Sequence, residues 1–400
     1  MVKKIVFFCF GPVIKYHYKR FGVGVLKQNG FEVWFYDFSP IVSPSICKGA
    51  VYIDKPTSED YFQFFEEKKA IQAIHELGDE CFVVVTGHYQ TETFKIFRAL
   101  SRANIPYAVW SVSVNATGMG EQGESSLWKF FFKFRSFNLK KLKRLLYKPA
   151  LAPVFGIRTP DACMLSGEKS LEFNGPVARI GEKTELIWAH TPDYDTYLTD
   201  LHKKEAEENI ALWIEPSGPM FPWDEFLPHM NPVWTVEQYY PSLCRFFDYV
   251  EKELGLKVII AAHPKSNHAD DRPEYFGKRQ AIPNQILPLI KKSKFVMSHN
   301  STALSFAVLE KKPILCLTTA EFETDIAVSR AFKVVASSLG TTPINVDATP
   351  YSIDWKKKLL VNEDLYLSYQ QQYLKKADSE KLNSWQILAN HLKQSSYQCK

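Results

Sequence analysis

Short runs of consecutive Val, Ile, Leu and Phe recur along this chain, separated by stretches of helical periodicity and by Gly- or Pro-bearing breaks. A run too short for a helix yet apolar on both faces reads as a strand covered from both sides, as in a parallel sheet. Residues 3–10 form the first such run and Gly11-Pro12 ends it. A helical stretch through Val25 and Leu26 stops at Asn29-Gly30, a C-cap pair, and residues 31–38 give a second strand before Ser39-Pro40. A strand–helix–strand unit of this length suits a right-handed parallel crossover. The pattern continues with strands expected at 81–85, 105–112 and 162–165 and helices at 65–77 and 92–103.

A second series begins at Asn209. Strands are expected at 211–214, 256–262, 295–298 and 313–317, with helices at 236–254, 285–292 and 303–310. The 400 residues exceed what one core holds. The expected fold class is therefore α/β, with two doubly wound Rossmann-like domains facing across a cleft. The expected divisions are a first domain over 1–185, a connector over 186–208 with a helix at 195–208, a second domain over 209–345, and a helical C-terminal segment over 346–400.

Composition removes other classes. At 46% hydrophobic and 23% charged residues the chain is neither disordered nor collagen-like. No run approaches the ~18 apolar residues of a spanning helix, and the first apolar run is too short and lacks the cleavage site of a signal peptide. Seven scattered cysteines without a CxxC pair disfavour zinc and disulfides and fit a reducing cytoplasm.

Ligands in open parallel sheets bind beyond the carboxyl ends of strands. There the second series delivers His263-Pro264-Lys265-Ser266 and His299-Asn300-Ser301-Thr302, the latter just before a helix. Hydroxyls and free N–H groups at a helix start suit a phosphate, with His263 and Lys265 adding hydrogen bonds and charge. Ser301 or Thr302 as a plain helix cap is the alternative.

The stretch from Leu243-Cys244-Arg245 through His263-Pro264 to Ser301-Thr302-Ala303 and Lys312-Pro313-Ile314 resembles bacterial surface-polysaccharide biosynthesis enzymes of GT-B glycosyltransferase architecture. A His-Pro motif followed some way later by a Ser-Ser or Ser-Thr pair is similar to that of bacterial sialyl- and Kdo transferases and of teichoic-acid polymerases. The resemblance implies that His263, Ser301 and Thr302 contact the phosphate of a nucleotide-sugar donor, a CMP-sugar being favoured. Pro264, Lys265, Ser266, His299 and Asn300 would complete that site. It also implies an inverting, metal-independent transfer to a surface polysaccharide, of the capsule or lipopolysaccharide kind, or to a lipid-linked glycan. Such a transfer needs a base. Glu215, in Glu215-Pro216-Ser217-Gly218, keeps one carboxylate of the sialyltransferase acidic pair and is the candidate, with Asp224 and Glu225 nearby; His88 is the candidate on the acceptor side.

Asp193-Tyr194-Asp195 imitates a DxD metal motif but lies before a helix, where Asp195 reads as an N-cap; no metal and no cofactor are expected. Gly22-Val23-Gly24 lacks the third glycine of a dinucleotide fingerprint. Residues 127–148 carry eight Lys or Arg, no acid and many Phe and Leu, which suits an anionic membrane surface, against a solvated helix packed on the sheet. No nucleic-acid recognition motif accompanies that charge. The expected place is the cytoplasmic face of the cell membrane. The alternatives are a nucleotide-sugar 2-epimerase of the same architecture and a non-catalytic glycan-assembly or binding protein.

Overall fold

A computed structural model describes the chain except residues 1, 45–46, 48–55, 113–148, 173–179, 217, 220–233, 264–274, 396 and 398–400. The basic segment 127–148, Pro264, Lys265, Ser266, Asp224 and Glu225 thus lie outside the described residues.

The first sheet comprises β1 (Lys4–Cys9), β2 (Glu32–Asp37), β3 (Tyr61–Gln63), β4 (Cys81–Val85), β5 (Tyr107–Ser111), β6 (Ala162–Leu165) and β7 (Glu185–Trp188), in the order β3-β2-β1-β4-β5-β6-β7. The second comprises β8 (Ile210–Ile214), β9 (Lys257–Ala262), β10 (Ala281–Pro283), β11 (Phe295–Ser298), β12 (Ile314–Thr318) and β13 (Ile344–Asn345), in the order β10-β9-β8-β11-β12-β13. Every pairing is parallel. The strand order of the second sheet is that of the doubly wound nucleotide-binding fold, and the first adds one strand to it.

Burial explains the apolar runs. Along β1, Ile5, Phe7 and Cys9 enter one layer of core and Val6 and Phe8 the opposite one, so both faces of the strand are covered. In the second sheet, Leu212 and Ile214 face one core while Ala211 and Trp213 face the other. Helix Val236–Leu254 buries Tyr239, Leu243, Phe246, Phe247 and Val250 at helical spacing and ends on Gly255 in a left-handed conformation at φ 65°.

Two compact units result. The first runs to Pro192 and takes back Lys375–Lys400, and the second is built on Asp193–Leu374. Two expectations are corrected here. Residues 186–208 are not a plain connector, because β7 completes the first sheet and a helix spans Pro192–Asp200. That helix starts earlier than expected, with proline in its first position and Asp193 and Asp195 both in its first turn, and it stops at Asp200. Beyond it, the acids of the run are drawn out to lysines. Glu207 pairs with Lys294 at 2.6 Å and Lys312 at 2.9 Å, and Glu208 pairs with Lys292 at 3.2 Å.

The C-terminal segment 346–400 is likewise divided. Its first part, including helix Glu363–Tyr369, packs in the second unit, whereas helix Ser384–Gln394 belongs to the first. Trp385 is the anchor. It is buried against Phe7, Phe21 and Trp110, and its indole N–H donates to the Arg20 carbonyl at 2.9 Å. Gly22, at φ 53°, makes room for it, since a Cβ there would lie 2.2 Å from the indole.

Candidate functional site at the carboxyl edge of the second sheet

In the second sheet the chain runs outward from β8 through β9 to β10 and then returns to β11 on the other side of β8, so the switch point falls between β8 and β11. Residues just beyond these strands gather at one edge: Glu215 after β8, His263 after β9, and His299-Asn300-Ser301-Thr302 after β11. The registers Ile214↔Ala261 and Met297↔Trp213 hold the three strand ends level.

Glu215 is 2% exposed, and its carboxylate accepts the His263 backbone N–H at 2.8 Å. Its own N–H donates to the Ala261 carbonyl at 3.1 Å. The side chain expected to act as a base thus fastens the turn at which His263 leaves the sheet, and the half-buried His263 is held by its main chain.

Ser301 and Thr302 precede helix Leu304–Leu309. The Ser301 hydroxyl accepts the Ala303 N–H at 3.3 Å, leaving its own proton to donate elsewhere, and Thr302 is exposed. Ala303 is the N-cap and no side chain caps the helix, so the Ser301 hydroxyl braces the turn before it rather than capping it, and its proton can serve a ligand. Asn300 is half-buried beside them.

His299 differs from its expected role. Its ring is 3% exposed; Nδ1 donates to the Leu317 carbonyl at 2.8 Å, so Nε2 is the acceptor for the Tyr239 hydroxyl at 2.9 Å. Trp213, Trp234, Phe322 and Phe332 surround it, Phe332 stacked at 5.8 Å. Burial pulls its pKa from 6.5 down to about 4, so the ring is neutral. It is a strut beneath the site rather than a ligand for a phosphate. The same aromatic group reaches the loop after β8, because a Cβ on buried Gly218 would lie 2.3 Å from Trp234.

Of the DxD pair, Asp193 accepts the Ser305 hydroxyl at 2.8 Å, linking helix Pro192–Asp200 to the helix after Ser301-Thr302. Among the described residues no group of three or more His, Cys, Asp or Glu is placed to hold a metal, and no helix is long and apolar enough to cross a membrane.

His88 belongs to the first unit, beyond β4. It is exposed at the surface, and crowding by its protein surroundings lowers its pKa through desolvation. Sequence reasoning missed the Tyr239–His299 bond and the Asp193–Ser305 bond. The Tyr239-Tyr240 pair within a long amphipathic helix was the only available signal for the first, and nothing local foretold the second.

No family model matches the sequence, and no curated protein matches it. Solved structures do. A variant of the Wall Teichoic Acid Polymerase TagF, soaked with CDPG, superposes with a TM-score of 0.54 at 14% identity, over 98% of this chain and 88% of that one. TagF without the substitution gives 0.53 at 13%, with the same coverage. Acinetobacter baumannii MurG gives 0.48 at 8%, over 98% of this chain and 100% of that one. The chain has the GT-B architecture: two parallel α/β units with sheets of seven and six strands.

Proposed function

We propose that the chain is a glycosyltransferase that moves a sugar from a nucleotide-activated donor to a surface polysaccharide or a lipid-linked glycan. The observation that carries this reading is that Ser301 and Thr302 follow β11 at the switch point of the second sheet, and His263 follows β9 at the same carboxyl edge, where a doubly wound fold binds its ligand. The Ser301 and Thr302 hydroxyls and the His263 side chain would supply donors to the donor's phosphate. Departure of the nucleotide leaves negative charge on that phosphate, so fixed donors there lower the barrier to transfer. A cytidine nucleotide, as in a CMP-sugar, is the favoured donor. The soak of the structurally similar TagF with CDPG supports testing cytidine nucleotides first.

Thermal shift against CMP, CDP, UDP and GDP tests the reading. At 100 times its dissociation constant a ligand stabilises by about 2.7 kcal/mol. His263→Ala and the double change Ser301→Ala/Thr302→Ala are expected to weaken binding ten- to a hundredfold without loss of fold, since hydrogen bonds to charged groups contribute roughly 1.5–3 kcal/mol. A chain stabilised by none of the four nucleotides would overturn the proposal.

We infer a positioning role for Glu215, rather than proton transfer, a reading supported by its bond to the His263 N–H. Glu215→Gln keeps a carbonyl oxygen for that bond and is expected to retain transfer, while Glu215→Ala weakens nucleotide binding. A loss of about 10²–10⁴-fold in Glu215→Gln, with donor affinity intact, would return the general-base role to this carboxylate.

A further inference from the structure

We propose that the exposed face of helix Ile326–Ser338, in the second unit, is a docking surface for an acidic amphipathic helix of a partner protein. The inference goes beyond the transferase reading and does not depend on it.

The helix turns Phe332, Val335 and Ala336 into the cores of its unit. Its other side carries Ile326, Arg330, Lys333 and Ser337. Their spacing of four, three and four keeps them in one row about 17 Å long. Ser329 and Val334 flank that row, and these residues line an open groove of about 640 Å³. Apart from Glu323 at its amino end, the residues lining the groove all belong to this helix.

Two features distinguish the row. Ile326 is 85% exposed, more than any other large apolar side chain among the described residues. Arg330 and Lys333 are exposed, and among the described residues neither has an acidic partner. Elsewhere in the unit cations are matched: Lys291 to Asp200, Lys294 and Lys312 to Glu207, and Arg279 to Glu251. No acid occurs from Ile326 to Val346. The acids just before the helix are engaged. Glu321 accepts the Thr235 hydroxyl, Glu323 the Asn345 amide, and Asp325 the Val328 N–H.

The charge of the row selects its occupant. Carboxylates on a partner would meet Arg330 and Lys333, and apolar side chains on the same stripe would cover Ile326 and Val334. The short Ser329 and Ser337 side chains admit a helix at the ordinary interaxial distance of about 8–10 Å. A second copy of this chain does not fit. Two-fold pairing of the helix about its centre would lay Arg330 and Lys333 of one copy against those of the other, and like charges repel. A bilayer is also poorly matched by a narrow row with one strongly exposed apolar side chain.

The test uses the full chain and fluorescence anisotropy. The probe is a labelled designed helix of about 18 residues with a leucine stripe flanked by glutamates, and its control carries lysine for every glutamate. Wild type should bind the acidic probe, less tightly as salt rises, and ignore the lysine probe. Arg330→Glu/Lys333→Glu should lose at least about tenfold for the acidic probe and gain affinity for the lysine probe. Ile326→Ser should weaken binding with its salt dependence unchanged. Thermal midpoints and nucleotide thermal shifts should match wild type in both variants, because the substituted side chains are exposed and lie outside the nucleotide site. Wild type that ignores the acidic probe overturns the inference. Probe binding indifferent to charge reversal places the contact on another cationic segment, such as 127–148, and overturns it equally. Should the reversal instead change the sedimentation of the chain alone, or only its binding to phosphatidylglycerol vesicles, the occupant is a second copy or lipid and the proposal fails. Each of these failures leaves the transferase reading untouched, since that reading stands on nucleotide binding.

Discussion

At the scale of the residue, His299 shows how a side chain suited to chemistry can be spent on support. Its donation to the Leu317 carbonyl fixes the tautomer, and the Tyr239 hydroxyl occupies the remaining nitrogen. Protonation would leave Nε2–H facing a hydroxyl already oriented as donor, inside an aromatic shell. The folded pKa of about 4 lies below the ordinary 6.5, so the unfolded chain binds the proton first. This contribution to stability is complete above pH 6.5 and is lost as pH falls toward about 4, by up to roughly 3 kcal/mol. Denaturant unfolding at neutral and mildly acid pH should show that loss in wild type. Tyr239→Phe, which leaves Nε2 buried without its donor, should cost about 1–3 kcal/mol at neutral pH. An unfolding midpoint unchanged by Tyr239→Phe would show that the bond contributes nothing.

At the scale of the element, what the sequence makes legible follows from what each segment must bury. Strands closed on both faces announce themselves: residues 81–85, 162–165 and 295–298 coincide with β4, β6 and β11, and helix 236–254 is found at its expected ends. The short strands at sheet edges do not. Tyr61–Gln63, Ala281–Pro283 and Ile344–Asn345 are two or three residues long and only partly buried, so no apolar run marks them. Of the site, the strand-end position of His263, Ser301 and Thr302 is legible because position follows from strand order. The bond from the His263 N–H to Glu215 is not, because it joins residues far apart in sequence. Gly22 belongs with these illegible features: Gly22-Val23-Gly24 fails as a dinucleotide fingerprint in the sequence, and only the fold shows Gly22 as the gap into which Trp385 fits. Gly22→Ala combines a left-handed backbone with that collision and should destabilise by at least the roughly 1–3 kcal/mol of an ordinary overpacking change. A thermal midpoint equal to wild type would show that Trp385 can move aside without cost.

At the scale of the molecule, the proposed transfer to lipid-linked material would require the chain to reach the bilayer. Residues 127–148, with eight basic side chains and no acid, are the segment of the sequence suited to that task. Replacing Lys140, Lys141, Lys143 and Arg144 with Gln should release the chain from anionic vesicles and spare nucleotide binding. Failure of wild type to co-sediment with such vesicles at low salt would remove the membrane from this account.

The return of Lys375–Lys400 to the first unit also orders events during synthesis. The second unit is continuous from Asp193 to Leu374 and can close on the ribosome as soon as that stretch has emerged. The first unit, although translated earlier, lacks Trp385 until the stretch beyond Leu374 has also emerged. Until then Phe7, Phe21 and Trp110 present an unfilled apolar socket. The half made first is therefore the half completed last, and the nascent chain passes through an interval in which its N-terminal sheet is the part most exposed to aggregation and to chaperones.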